Sequence, residues 1–141
     1  MANDGGDFTR SMSIATSGLR AQAGRIRVIS ENIANADSTA SMPGGNPYRR
    51  KVPTFSSELD RALDAKVVTL GKIRSDSSAF RVKHDPGNPA ADAAGNVKYP
   101  NVNPLIEMTD MRDAQRSYEA NLNIISATRR MIQRTLDILK A

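Results

Sequence analysis

Apolar residues recur at steps of three and four near both ends of the chain. From Met12 the series runs Met12, Ala15, Leu19, Gln22, Ile26, Ile29, Ile33 and Ala36. The other end gives Met108, Met111, Gln115, Tyr118, Leu122, Ile125, Arg129, Ile132, Leu136 and Leu139. Such spacing keeps apolar side chains on one face of an α-helix, as in a coiled-coil seam. The first helix is predicted over about residues 11–35, and the Pro-Gly-Gly at 43–45 stops any continuation. The second is predicted from Pro104 to Lys140. Asn103 is suited to cap it, and proline fits its first position, where no N–H is needed. The fold expected is mainly α: long N- and C-terminal helices paired as an antiparallel coiled coil, with an irregular, partly β insertion between them. Residues 1–10 are expected as a disordered tail, 11–36 and 104–141 as the helical domain, and 37–103 as the insertion.

A second stripe lies off the seam. Ile14, Ala21 and Val28 share one heptad position in the first helix, as do Ile124, Met131 and Ile138 in the second. A lone helical hairpin would leave them in water, so both helices are expected to pack on two sides, with neighbouring subunits against this stripe.

The middle is weaker. Leu, Ile, Val and Phe are sparse, and all seven prolines fall between 43 and 104. Partial order in the monomer is expected. Tyr48–Val52 reads as extended, Phe55, Leu59 and Leu63 at steps of four as a short helix, and Val67–Ile73 and Phe80–Lys83 as strands.

Composition narrows the function. Apolar residues are 39% of the 141, aromatics 4%, and tryptophan is absent. No apolar run is long enough for a membrane-spanning helix. The opening MANDGGDFTR lacks the basic head and apolar stretch of a cleavable secretory signal. With no cysteine, disulfides, thiol catalysis and thiolate metal sites are excluded. The single histidine, His84, has no serine elbow around it and reads as a solvated turn residue. Asp85, Asn88, Asp92 and Asn96 carry oxygens at close spacing, but off the EF-hand pattern. The net charge of +5, with clusters at Arg49-Arg50-Lys51 and Arg129-Arg130, makes a small basic nucleic-acid-binding protein the alternative reading. Interleaved acids, and the lack of a helix-turn-helix spacing or stacking aromatics, weigh against it.

The ends carry a family likeness. Ser17-Gly18-Leu19, Ala21-Gln22, Arg25 and Asn32-Ile33-Ala34-Asn35 resemble the N-terminal signature of the flagellar rod and hook proteins. Asn46-Pro47-Tyr48-Arg49-Arg50-Lys51 resembles a segment of a proximal-rod member of that family. So do Asp85-Pro86-Gly87-Asn88-Pro89, Pro100-Asn101-Val102-Asn103 and Glu107-Met108. Residues 38–46 form an added Ser/Met/Gly-rich element, and Pro104-Leu105 stand where the family usually has two β-branched residues. The resemblance implies a structural subunit of the bacterial flagellar rod, with no enzymatic activity and no cofactor or metal. It implies export by the flagellar type III apparatus without a cleaved signal, and a place in the periplasmic part of the basal body. The partners it implies are copies of the chain, other rod proteins, and membrane-ring and rod-adaptor proteins. Tyr48, Arg49, Arg50 and the second stripe are assigned to contacts between subunits, and the seam to the helix pair.

Overall fold

The computed structural model describes residues 4–140. Helix α1 (Asp4–Ala34) is followed by six short strands, β1 (Lys51–Val52), β2 (Phe55–Asp60), β3 (Ala65–Leu70), β4 (Arg74–Ser75), β5 (Arg81–His84) and β6 (Asn96–Tyr99). Helix α2 (Pro104–Lys140) closes the chain. The strands form three antiparallel pairs, β1 with β4, β2 with β3, and β5 with β6. The start of α2 is capped as its sequence requires, with Leu105 N–H donating to Asn103 Oδ1 at 3.1 Å.

Helix α1 starts earlier than expected, and residues 4–10 are helical rather than a disordered tail; the rest of that tail lies outside the described residues. Two interactions account for the extra turns. Arg10 pairs with Asp7 one turn back, and its Nε donates to the Leu63 carbonyl at 2.8 Å. The segment expected as a short helix is strand β2. Phe55, Ser57 and Leu59 alternate with Ser56, Glu58 and Asp60, and the register pairs Phe55 with Leu70 and Asp60 with Ala65. The Asp60 carboxylate then accepts from the N–H groups of Ala62 and Leu63, and Asp64 takes a left-handed φ of 47°. This tight turn favours the hairpin over helix continuation.

The chain divides into two compact units, and the division cuts across the expected split into helices and insertion. One unit contains α1 up to Arg25, Thr54–Lys72, and α2 from Asp113. Its buried residues are small: Ala15, Ala21, Ala65, Ala114 and Thr128. The other contains Ile26–Pro53 and Ile73–Arg112. Val28, Ile29, Ala36, Ala90, Val97, Pro100 and Val102 are buried there, together with Asn32 and Glu107. Arg81 ties this second unit, donating to the carbonyls of Pro100 and Ala36.

Small residues set the inward face of α2. The buried row is Glu107, Ala114 and Thr128, with Asn121 half-buried between them. Met111, Tyr118, Ile125 and Ile132 are half-buried beside it. The seam expected from apolar spacing is therefore off by one row. Met108, Leu122, Leu136 and Leu139 are exposed, as are Gln115 and Arg129. The reason is close approach. In the first unit α1 meets α2 at Gly18, where an added methyl carbon would lie 2.8 Å from Nδ2 of Asn121. Leucine in the inward row would hold the helices apart. On α1, Ala15 and Ile29 are buried, and Met12, Leu19, Gln22, Ile26 and Ile33 half-buried.

Gly18→Ala should expose this constraint. Alanine gains about 1 kcal/mol over glycine in a helix interior. Here it displaces the Asn121 amide, and overpacking costs roughly 1–3 kcal/mol. We expect a net loss on urea unfolding followed by circular dichroism. The same change in an Asn121→Ala background should be stabilising instead.

Candidate functional site

The second unit is organised around a buried carboxylate. Glu107, in the first turn of α2, is 0% exposed. A charge removed from water is tolerated only when paired and hydrogen-bonded. Arg50 supplies the pair, with Nε 2.5 Å from Oε1. Asn32, near the end of α1, donates Nδ2 to Oε2 at 3.0 Å. The turn at the N-terminus of a helix also favours a negative charge.

Asn32 does more than hold Glu107. Its Nδ2 also donates to the Lys51 carbonyl at 2.8 Å. Its Oδ1 accepts from the Lys51 N–H at 2.9 Å and from the Tyr48 hydroxyl at 2.8 Å. One side chain thus satisfies both backbone groups of a strand residue, as a neighbouring strand would. Arg50 is shared. Its guanidinium lies 3.6 Å from Asp76 and 3.7 Å from Asp110, and its backbone N–H donates to Asn101 Oδ1 at 2.8 Å. Asn101 in turn donates to the Asp76 and Ser78 carbonyls. Arg49 donates to the same two carbonyls while its guanidinium stacks 4.2 Å from the centre of the Phe80 ring. Lys51 pairs with Glu31.

The electrostatics follow from this packing. Burial, then the nearby Glu31 and Glu107 charges, push the Tyr48 hydroxyl up to about 12. Asp76 is held below the usual carboxylate range, first by the Ser78 backbone N–H and hydroxyl and more weakly by Arg50.

The structure places each of the expected site residues. Tyr48, Arg49 and Arg50, assigned to neighbouring subunits, make their polar contacts within the chain and stay half-buried. Of the second stripe, Ala21 and Val28 are buried at 2% and 1% exposure, because both face the chain's own interior. Ile14, Ile124, Met131 and Ile138 remain exposed, Ile138 at 75%. The oxygen-rich loop between β5 and β6 spends its groups on itself. Asn88 Oδ1 accepts from Ala90 N–H, Asp92 Oδ1 from the N–H groups of Ala94 and Asn96, and Asp85 N–H donates to Gly95. Gly95 closes this loop at φ +78°, where an added methyl carbon would lie 2.9 Å from the His84 ring. Pro86 and Gly87 are exposed on it, and His84 is exposed at the end of β5. Of the remaining motif residues, Ser17 accepts from the Val68 N–H at 3.2 Å, and Asn35 donates to the Glu31 carbonyl. Ala34 is exposed at the last position of α1. Glu107 was read only as part of a family motif, and its role as a buried ion-pair partner was missed. Its signal was an acid placed four residues after a helix cap.

Comparison with known sequences gives these features a family. Residues 12–40 match the family described as flagella basal body rod protein, and residues 93–138 the flagellar basal body rod FlgEFG protein C-terminal family. The class is that of the flagellar rod proteins. The flagellar basal-body rod protein FlgC of Agrobacterium fabrum is 56% identical over 134 residues, 95% of this chain and 96% of its own. That of Bacillus subtilis is 39% identical, covering 92% and 97%. That of Salmonella typhimurium is 37% identical, covering 89% and 92%. The chain belongs to the FlgC family of flagellar basal-body rod proteins, and its role is that of a structural subunit of the rod.

Two outcomes test the node. Asn32→Ala leaves a Glu107 oxygen and the Lys51 N–H without partners, at a cost of about 1–3 kcal/mol. The urea midpoint should fall accordingly. Tyr48 should make stability fall with alkali. Its pKa is raised in the folded state, so its contribution is complete below pH 10.0 and lost as pH rises toward about 12. Tyr48→Phe should flatten that part of the stability profile.

Proposed function

We propose that the chain is a subunit of the proximal rod, the part of the drive shaft nearest the membrane ring, where it helps transmit torque to the distal rod and hook. The observation that carries this reading is the exposed stripe Ile124, Met131 and Ile138 on α2, in a chain of a rod family. Three large apolar residues at heptad spacing on one helix face suit a neighbouring helix. Contacts between unlike surfaces that do not close on themselves generate a helical shaft.

In the assembly α1 and α2 pair as an antiparallel coiled coil; the approach of Gly18 to Asn121 supports this. The partners are further copies, other rod proteins, and the membrane-ring and rod-adaptor proteins. The chain reaches the periplasmic space through the type III export apparatus. The absence of cysteine and the small-residue interior of the first unit suit a chain that must pass a narrow channel unfolded. No helix among the described residues is long and apolar enough to cross a membrane. The nucleic-acid alternative loses its main support, because Arg49, Arg50 and Lys51 are engaged by the chain's own carbonyls and carboxylates.

Met131→Asp places a charge in the stripe without touching a buried residue. It should abolish swimming while the chain is still exported, as read by immunoblot of the periplasmic fraction. Normal swimming would sink the reading of the stripe as an interface. Labelling of purified basal bodies carrying a tag at residues 38–46 should mark the rod beside the membrane ring.

A further inference from the structure

The β2–β3 hairpin has one covered edge and one open edge. The Gly71 N–H donates to the Thr54 carbonyl at 2.7 Å, and antiparallel pairing alternates from there. Ser56, Glu58 and Asp60 therefore turn their backbone groups toward β3, while Phe55, Ser57 and Leu59 turn theirs away. The same alternation turns Val68 away from β2, and its N–H donates to Ser17 Oγ on α1 at 3.2 Å. Nothing comparable meets β2. Among the described residues the outward backbone groups of Phe55, Ser57 and Leu59 make no hydrogen bond, and residues 55–59 are all exposed.

Open edges are usually blunted by proline, lysine or a bulge. β2 has none of these, and its register with β3 is unbroken from Phe55 to Asp60. Its side chains are sorted by face. Phe55, Ser57 and Leu59 share one face with Val68 and Leu70, and its two acids, Glu58 and Asp60, lie on the other. Phe55, Leu59 and Val68 are 43%, 57% and 39% exposed. The strand is also complementary to itself. Antiparallel registers that set outward groups opposite outward groups differ by steps of two. Centred on Ser57, Phe55 lies opposite Leu59 of a second copy, Ser56 opposite Glu58, and Ser57 opposite Ser57. Apolar side chains then meet each other, and each Glu58 meets a hydroxyl. The next register one way sets Glu58 opposite Glu58, and the one after it Glu58 opposite Asp60, where like charges repel. The next register the other way sets Leu59 opposite Pro53, which has no N–H to give.

We propose that two copies of the chain pair through the outer edges of their β2 strands, antiparallel and centred on Ser57, to form a four-stranded sheet. The facing pairs exchange backbone hydrogen bonds, and Phe55 of each copy packs beside Leu59 of the other. Two strands bury little by themselves, and four gain a continuous apolar face. The contact is isologous and closes on itself, so it is not one of the repeating contacts of a shaft. It belongs to the chain outside the assembly, where it covers an edge that would otherwise template aggregation. It is small, so the dimer is weak. It stands or falls independently of the rod reading.

Sedimentation equilibrium of the purified full chain should show monomer and dimer with no larger species. A chain that stays monomeric up to about 1 mM overturns the proposal. Disulfides check the register, since the chain has no cysteine of its own. Ser57→Cys sets two thiols directly opposite each other, within the Cα separation that a disulfide spans. It should oxidise to a homodimer. Ser56→Cys should not, because its counterpart lies diagonally across, but mixed with Glu58→Cys it should link. Linking of Ser56→Cys to itself as fast as Ser57→Cys, or no linking of Ser57→Cys, overturns the pairing. A third variant removes only an outward N–H. Ser57→Pro is of the kind that edge strands tolerate, and it should weaken dimerisation at least about tenfold with the circular dichroism spectrum unchanged. An undiminished dimer of folded Ser57→Pro chains would mean that the copies meet elsewhere, and the proposal falls. Should Ser57→Pro not fold, the disulfide pattern decides.

Discussion

The second unit depends on one carboxylate held out of water. Glu107 has no exposure at all, and its ion-pair partner comes from outside its own helix. Arg50 comes from 57 residues away and Asn32 from 75 residues away. Burying such a charge without its partner costs more than the helix turn that carries it can return. The first turn of α2, the end of α1 and the 48–51 segment are therefore stable in this arrangement together or not at all. A hydrophobic cluster in the same place would tolerate sliding. A carboxylate with one guanidinium and one amide fixes the register of three segments at once, with Asn101 holding the fourth through the Arg50 backbone.

The node gives physical meaning to motifs that look separate in the sequence. The asparagine at 32, the Tyr-Arg-Arg-Lys at 48–51, the asparagine at 101 and the acid at 107 were legible as family marks. Their convergence was not, because spacing along a chain says nothing about meeting points 57 residues apart. For the same reason the intrachain partners of Tyr48, Arg49 and Arg50 were not legible. Polar residues at a motif are read outward by default, and here the cost of a buried carboxylate turns them inward.

The helices show a different limit. Their existence, the end of α1 and the cap of α2 were readable from apolar period, asparagine and proline. The inward face of α2 was displaced by one residue. Apolar spacing selects Met108, Leu122 and Leu136 because they are large, while the chain packs on Ala114, Asn121 and Thr128 because they are small. Hydrophobicity scales do not register close approach; Gly18 was a sequence sign of it. The hairpin was misread for a related reason: Phe55, Leu59 and Leu63 fit a helical step, but alternation through β2 and the Asp60 turn decide the matter.

Packing on small residues also has a calorimetric consequence. Burial of apolar surface is what gives folding its heat-capacity change. In the first unit that surface is largely alanine and threonine, while Leu122, Ile124, Met131, Leu136, Ile138 and Leu139 stay in water. Folding of the single chain therefore carries a small heat-capacity change for its length. Its stability curve is correspondingly flat with temperature, and a further apolar contribution belongs to whatever event finally dries those side chains.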